Sequence, residues 1–142
     1  MIHRLCHFVY LTESINQLLL RIFTIAPAAQ ALFKFADGYE PMDEKIFTLP
    51  TFKKHARAVI STVNAAVGML ETDLDKLIGI LKGLGERHKT YGVLEAHYPV
   101  VGQALVETLT DALGDAFTVD VKAAWEEIYG VISSTMIEGA QY

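Results

Sequence analysis

The sequence predicts an all-α fold in one domain over residues 1–142, and three observations predict it. Apolar side chains recur at three- and four-residue spacing through five successive stretches, each the mark of one buried helical stripe. Proline falls at or beyond the ends of those stretches and not in their middles, and Gly92 and Gly114 mark breaks between them. No stretch alternates apolar and polar residues as a half-buried strand does, and no repeat, low-complexity run or linker divides the 142 residues.

Residues 1–11 are apolar apart from His3, Arg4 and His7, a run too short to span a membrane and without the small-residue cleavage site of an export signal. His3 and His7 are four apart and could share a helix face, but with no further ligand nearby they read as structural or solvent-exposed. From Thr12 the chain carries Leu18, Leu19, Leu20, Ile22, Phe23 and Ile25, a largely apolar helix expected to cross the middle of the core and to end at Pro27. Ala28 to Phe35 reads as a short continuation that delivers Phe33. Residues 36–49 hold Gly38, Pro41 and four acidic side chains, and are expected to form one long, irregular, mobile connection.

The next helix opens near Pro50 and puts Phe52, Val59, Val63, Val67 and Leu70 on one stripe, with His55 inside it. The following helix opens at Thr72, whose hydroxyl is placed to cap it with Asp75 three residues on. It buries Leu74, Leu77, Ile78, Leu81 and Leu84, and His88 continues that stripe by one turn. Gly92 permits a sharp corner, and Pro99 fits the first turn of a helix that buries Val101, Leu105 and Leu109. Gly114 ends it. Thr118 then caps the last helix, whose inward stripe is Val121, Trp125, Ile128 and Ile132.

A hydrophobic content of 51% is enough for one sizeable core without disulfides. The formal net charge of −5 and the lack of a basic cluster argue against nucleic acid or an anionic membrane surface as a partner. Cys6 is the only cysteine, so no internal disulfide forms and a reducing, cytoplasmic setting is the simpler one. The sequence holds no Ser/His/Asp arrangement, phosphate-binding loop or paired cysteines for zinc.

A histidine on an apolar helix face is ordinarily a hydrogen-bonded core residue. Two on successive helices carry more weight, because a neutral imidazole pointing into an apolar pocket suits an iron held by a large flat cofactor. The motifs around them resemble those of the globin family. Pro27 stands six residues before Phe33; Phe52, His55 and Val59 share one helix face; and the segment Arg87-His88-Lys89-Thr90-Tyr91-Gly92-Val93 follows in order. Further on, His97-Tyr98-Pro99-Val100-Val101-Gly102 and Ala123-Ala124-Trp125 with Ile128-Tyr129-Gly130 are similar to the last two helices of bacterial single-domain globins and neuroglobin-like animal globins. The resemblance covers residues 12 to 138. Only 18 residues precede Leu19, which implies a shortened or irregular first helix.

The resemblance implies a globin fold holding one non-covalent b-type haem, since there is no Cys-x-x-Cys-His attachment motif. His88 would be the proximal iron ligand, its other ring nitrogen held by the Leu84 carbonyl one turn earlier. Phe33 would stack on the cofactor ring and Phe52 would join the haem-binding residues. Leu19, Phe33 and Val59 would form the distal wall, and Val93 and Val101 the proximal side. His55, opposite His88, would either donate a hydrogen bond to O2, a contact worth roughly 1–2 kcal/mol, or bind the iron itself so that a gas must displace it. Ala58 stands where many globins have a basic residue, leaving Arg57, Arg87 or Lys89 to meet a haem propionate.

Tyr98 matches a tyrosine that flavohaemoglobin-type globins place beside the proximal ligand together with a glutamate. Here the matching position is Ala140, and Glu138 lies two residues earlier. Neither the strongly polarised histidine of that group nor, without a reductase domain, self-sufficient nitric oxide dioxygenase activity is expected. Three functions stay in view. The first is reversible binding of O2, CO or NO for transport, storage or sensing. The second is redox work on nitric oxide, nitrite or peroxide with an external reductase. The third is a haemless interaction domain, against which both histidines and Phe33 argue.

Overall fold

The computed structural model describes residues 12–142, and the expectations for a shortened first helix, for His3 and His7 and for Cys6 lie outside the described residues. Among the described residues every regular element is helical: α1 (Thr12–Ile25), α2 (Pro50–Met69), α3 (Leu74–Thr90), α4 (His97–Leu113) and α5 (Val119–Ala140), with 3-10 turns at Pro27–Leu32, Lys34–Ala36, Glu44–Thr48 and Gly114–Ala116. The chain forms two compact units, one up to Gly68 and one from Met69 to Tyr142.

In the first unit, α1 buries Ile15, Leu19, Ile22 and Phe23, the four-and-three spacing expected of one stripe. The helix ends before Ala26, and Pro27 opens the first 3-10 turn. Phe33 is extended, with φ −102° and ψ 104°, so the segment after Pro27 is two short turns hinged at Phe33 and not a continuous helix. The expected loose connection is pinned. Ile46 is wholly buried within Glu44–Thr48, a turn whose Asp43 side chain accepts from the Lys45 amide at 2.9 Å. The Gln30 amide group donates to the carbonyls of Tyr39 and Glu40, both at 3.4 Å, and its oxygen accepts from the Met42 amide at 3.2 Å. Local composition hides this, because one tether comes from an earlier turn and the other is a single isoleucine among acidic neighbours. Pro50 then opens α2, which buries Phe52, Ala56, Ala66 and Val67, while Val59 and Val63 are half-buried and Leu70 falls beyond the helix end.

In the second unit, Asp73 caps α3 by accepting from the Lys76 amide at 3.2 Å, and the cap expected of Thr72 is displaced by one residue. A carboxylate beside the positive end of a helix is the stronger acceptor. Leu77, Leu81 and Gly85 form the buried line, but Leu74, expected to be buried, is 49% exposed. The reason is the site of the crossing with α5, at residues 82–85 of α3, which leaves Leu74 about 12 Å away along the helix. That crossing is made by two glycines. A Cβ on Gly85 would overlap the Met136 carbonyl, and one on Gly139 would overlap the backbone of Lys82. Gly92, at φ 92°, turns the corner into α4, and Gly114, at φ 52°, ends that helix. Leu109 is buried on α4 whereas Val101 and Leu105 are half-buried. Thr118 caps α5 as expected, 3.3 Å from the Val121 amide, and Val121, Trp125 and Ile128 are buried.

Candidate functional site

His88 sits in the last turn of α3, and its Nδ1 donates to the Leu84 carbonyl at 2.8 Å. The bond follows from helix geometry, since residues i and i+4 lie one above the other. With the proton on Nδ1, the lone pair belongs to Nε2, which is the state an imidazole needs to bind a metal. Burial keeps the ring neutral: it lowers the histidine's proton affinity against the raising effect of the Leu84 carbonyl, and the Arg87 guanidinium adds to the lowering. A half-buried, neutral, singly tethered imidazole is the donor that a haem iron takes from a protein, so these residues fit that group. Tyr91 packs against it with ring centroids 5.9 Å apart.

The corner after His88 is held firmly. The Val93 amide donates to the His88 carbonyl at 3.1 Å, the Val93 carbonyl accepts from the Tyr142 hydroxyl at 2.6 Å, and the Leu94 amide donates to Nδ1 of His97 at 2.8 Å. Tyr98 is buried, and its own backbone carbonyl accepts from the Tyr129 hydroxyl. The Tyr98 hydroxyl lacks a hydrogen bond of normal geometry, although the Tyr142 phenol lies beside it; burial first, then Tyr142, pushes its pKa up to about 12. Glu138, displaced in the sequence, is displaced in space too: it pairs with Lys82 at 2.8 Å. Lys89, expected to be available to a propionate, instead holds the carbonyls of Ala140 and Gln141 at 3.0 and 2.8 Å. Arg87 lies back along α3 over Gly83.

His55 lies in the first unit, inside a cluster of aromatic rings. Its ring meets Phe33 edge-on at 5.5 Å and Phe35 at 5.7 Å; Phe23 packs on Phe33 at 5.4 Å, and Phe52 joins through Phe35 at 5.6 Å and Phe47 at 5.4 Å. Each contact has the tilted or edge-to-face form that aromatic quadrupoles favour. Of the site residues expected in the first unit, Phe33, Phe52 and His55 are therefore brought together, Leu19 is buried on α1, and Val59 is half-buried one turn beyond His55. In the second unit Leu84 and His88 are bonded, Val93 and Tyr98 stand in the corner and at the start of α4, and Val101 follows Tyr98 by three residues.

Sequence reasoning passed over Phe35 and Tyr142. Phe35 touches both His55 and Phe52, and the only signal for it is the Phe-x-Phe pair at residues 33 and 35. Tyr142 had no local signal, because its partners are 49 residues away. An open groove of about 400 Å³ beside Gly102, Val106, Glu126 and Tyr129 holds none of the expected site residues. Among the described residues no three metal-ligating side chains cluster, and no helix is long and apolar enough to cross a membrane.

A family model described as Globin matches residues 16–136. The chain is 32% identical to the neuroglobin of Danio rerio over 119 residues, covering 84% of this chain and 74% of that protein. It is 36% identical to a flavohemoprotein of Bacillus subtilis (strain 168) over 85 residues, which is 60% of this chain but only 21% of that longer protein. A solved structure described as a hexacoordinated heme protein from an anhydrobiotic tardigrade matches with a TM-score of 0.80 and 25% identity, covering 94% of this chain and 84% of that one.

Proposed function

The chain belongs to the globin family, and from that premise we propose that it binds one non-covalent b-type haem, which His88 would hold through Nε2 and His55 would meet as a displaceable ligand. The external ligand would be O2, CO or NO, bound reversibly. The observation that carries this reading is the His88–Leu84 hydrogen bond, which fixes the tautomer with its lone pair on Nε2. Haem, when bound, supplies an iron that accepts such a gas without net chemical change.

The chain's own residues set the terms of that binding. Leu84 offers a carbonyl and not a carboxylate, so His88 is a moderately basic ligand. The position from which a carboxylate would polarise it further holds Ala140, and Glu138, two residues earlier, pairs with Lys82. That pairing supports gas binding over redox work on nitric oxide, nitrite or peroxide, which would also need an external reductase. As a displaceable ligand His55 would compete with the gas, so that the fraction of protein open to the gas would set the apparent affinity. The hexacoordinated state given in the description of the tardigrade protein supports this role. Phe33 would offer an aromatic face to the cofactor ring, Leu19 and Val59 would exclude water around His55, Val93 and Val101 would line the site near His88, and Phe52 and Tyr98 would complete the haem-binding residues. The family model runs through the boundary at Gly68, which supports one functional domain over residues 1–142. The single Cys6 suits a reducing, cytoplasmic setting.

Titration of the purified chain with hemin tests the reading. Uptake of one equivalent, lost in His88→Ala, is the expected result; a chain that stays colourless at every ratio overturns it.

A further inference from the structure

Lys89 follows His88 directly, yet its side chain ends on α5. Its Nζ donates to the carbonyls of Ala140 at 3.0 Å and Gln141 at 2.8 Å, and lies 5.4 Å from the centre of the Tyr142 ring. Carbonyls in the last turn of a helix have no later amide to accept from, and they form the negative end of its dipole, so a cation there is doubly favoured. Gln141 is left-handed, at φ 54°, which carries the chain out of the helix just before Tyr142. The Tyr142 ring takes a cation–π contact from Lys89 while its hydroxyl donates to the Val93 carbonyl at 2.6 Å. Val93 in turn donates its amide to the His88 carbonyl at 3.1 Å.

The contacts close a ring that begins one residue after His88, passes through the end of α5, and returns to the residue whose amide bonds His88. We propose that Lys89 is a positioning residue: by clamping the end of α5 to the last turn of α3 it fixes the direction in which His88 presents Nε2. This rests on the reading of His88 as the iron ligand. It also makes residues 140–142 a place from which the iron is tuned, since anything that draws them away from Lys89 slackens the turn that carries His88.

The test uses Lys89→Met, which keeps the length of the stem and removes the charge, beside Lys89→Arg, which keeps the charge. Two readouts are taken. In the haem-free chain, amide hydrogen exchange at Gly92, Val93 and Gln141 reads the clamp itself. In the ferrous haem protein carrying His55→Leu, which leaves His88 as the histidine that would hold the iron, the iron–histidine stretching band in the resonance Raman spectrum reads the pose of His88. Lys89→Met is expected to speed exchange at those amides by about tenfold, the effect of losing roughly one net hydrogen bond, and to shift and broaden the band, with Lys89→Arg restoring both. Unchanged exchange in Lys89→Met overturns the clamp. Faster exchange with an unmoved band overturns the positioning role. Haem uptake that survives His88→Ala with an unchanged spectrum overturns instead the assignment on which the proposal rests.

Discussion

His88 and the Leu84 carbonyl are joined by a 2.8 Å hydrogen bond that decides which ring nitrogen of His88 carries the proton. The reading of His88 as an iron ligand depends on that tautomer, because a proton on Nε2 would close that nitrogen to a metal.

The first expected outcome is that His88→Gly abolishes haem uptake and that added imidazole restores it, since the small molecule supplies the missing donor. The haem-free variant should keep its helical circular dichroism, because the buried line of α3 is carried by Leu77, Leu81 and Gly85. Haem retained at full stoichiometry without imidazole would remove His88 from the role.

The second concerns His55. The proposed role as a displaceable ligand would hold the chain mostly closed to gas, so His55→Leu should raise the observed CO association rate by about tenfold or more as the competent fraction approaches one. Flash photolysis measures this directly. An unchanged CO rate combined with faster O2 dissociation would make His55 a hydrogen-bond donor to the gas and not a ligand of the iron.

The third is a pH dependence. Burial holds the folded-state pKa of His88 below the usual imidazole value of 6.5. Between that lowered value and 6.5 the unfolded chain binds more protons than the folded one, so stability falls as pH drops through this window and the loss is complete below the folded pKa. Above 6.5 the group contributes nothing. Urea midpoints of the haem-free chain should decline on acidification below the unfolded value of 6.5, and less so in His88→Gln. Parallel curves for the two proteins would contradict the shift.

The fourth tests the helix crossing. Gly85→Ala improves helix propensity by about 1 kcal/mol, but its methyl would overlap the Met136 carbonyl, and a backbone cannot step aside as a side chain can. Overpacking of this kind costs about 1–3 kcal/mol or more, so the net change in denaturant unfolding should be a loss. A stabilised Gly85→Ala would mean the two helices do not meet there.

The fifth contrasts two apolar residues. Ile46→Ala, from a wholly buried side chain, should lower unfolding stability by about 2–5 kcal/mol, whereas Leu74→Ala, from a side chain 49% exposed, should change it by less than about 0.5 kcal/mol. Equal effects would put Leu74 back in the core.

The helices were legible because their signals are local: the stripes through Leu19, Phe52, Leu81 and Trp125 and the punctuation at Pro27, Gly92 and Gly114 each sit within a few residues of what they control. The His88–Leu84 bond was anticipated from the globin resemblance, and helix geometry places its two partners one turn apart. What escaped depends on partners distant in the chain. Ile46 and Gln30 pin a stretch that composition marks as loose, Gly85 and Gly139 carry no pattern of their own, and Lys89 reads as a free surface cation until its partners 51 and 52 residues away are seen. The cap of α3 was expected at Thr72 and lies at Asp73, one residue on, whose carboxylate is the stronger acceptor.

The central claim is that one haem is held by His88 and met on its other side by His55. The ferrous, gas-free visible spectrum of the hemin-reconstituted chain tests it most directly. A sharp, split pair of bands, collapsing to one broad band in His55→Leu, is the result this account predicts. One broad band in the unaltered chain would contradict the role of His55, and a spectrum with no haem bands would contradict the whole.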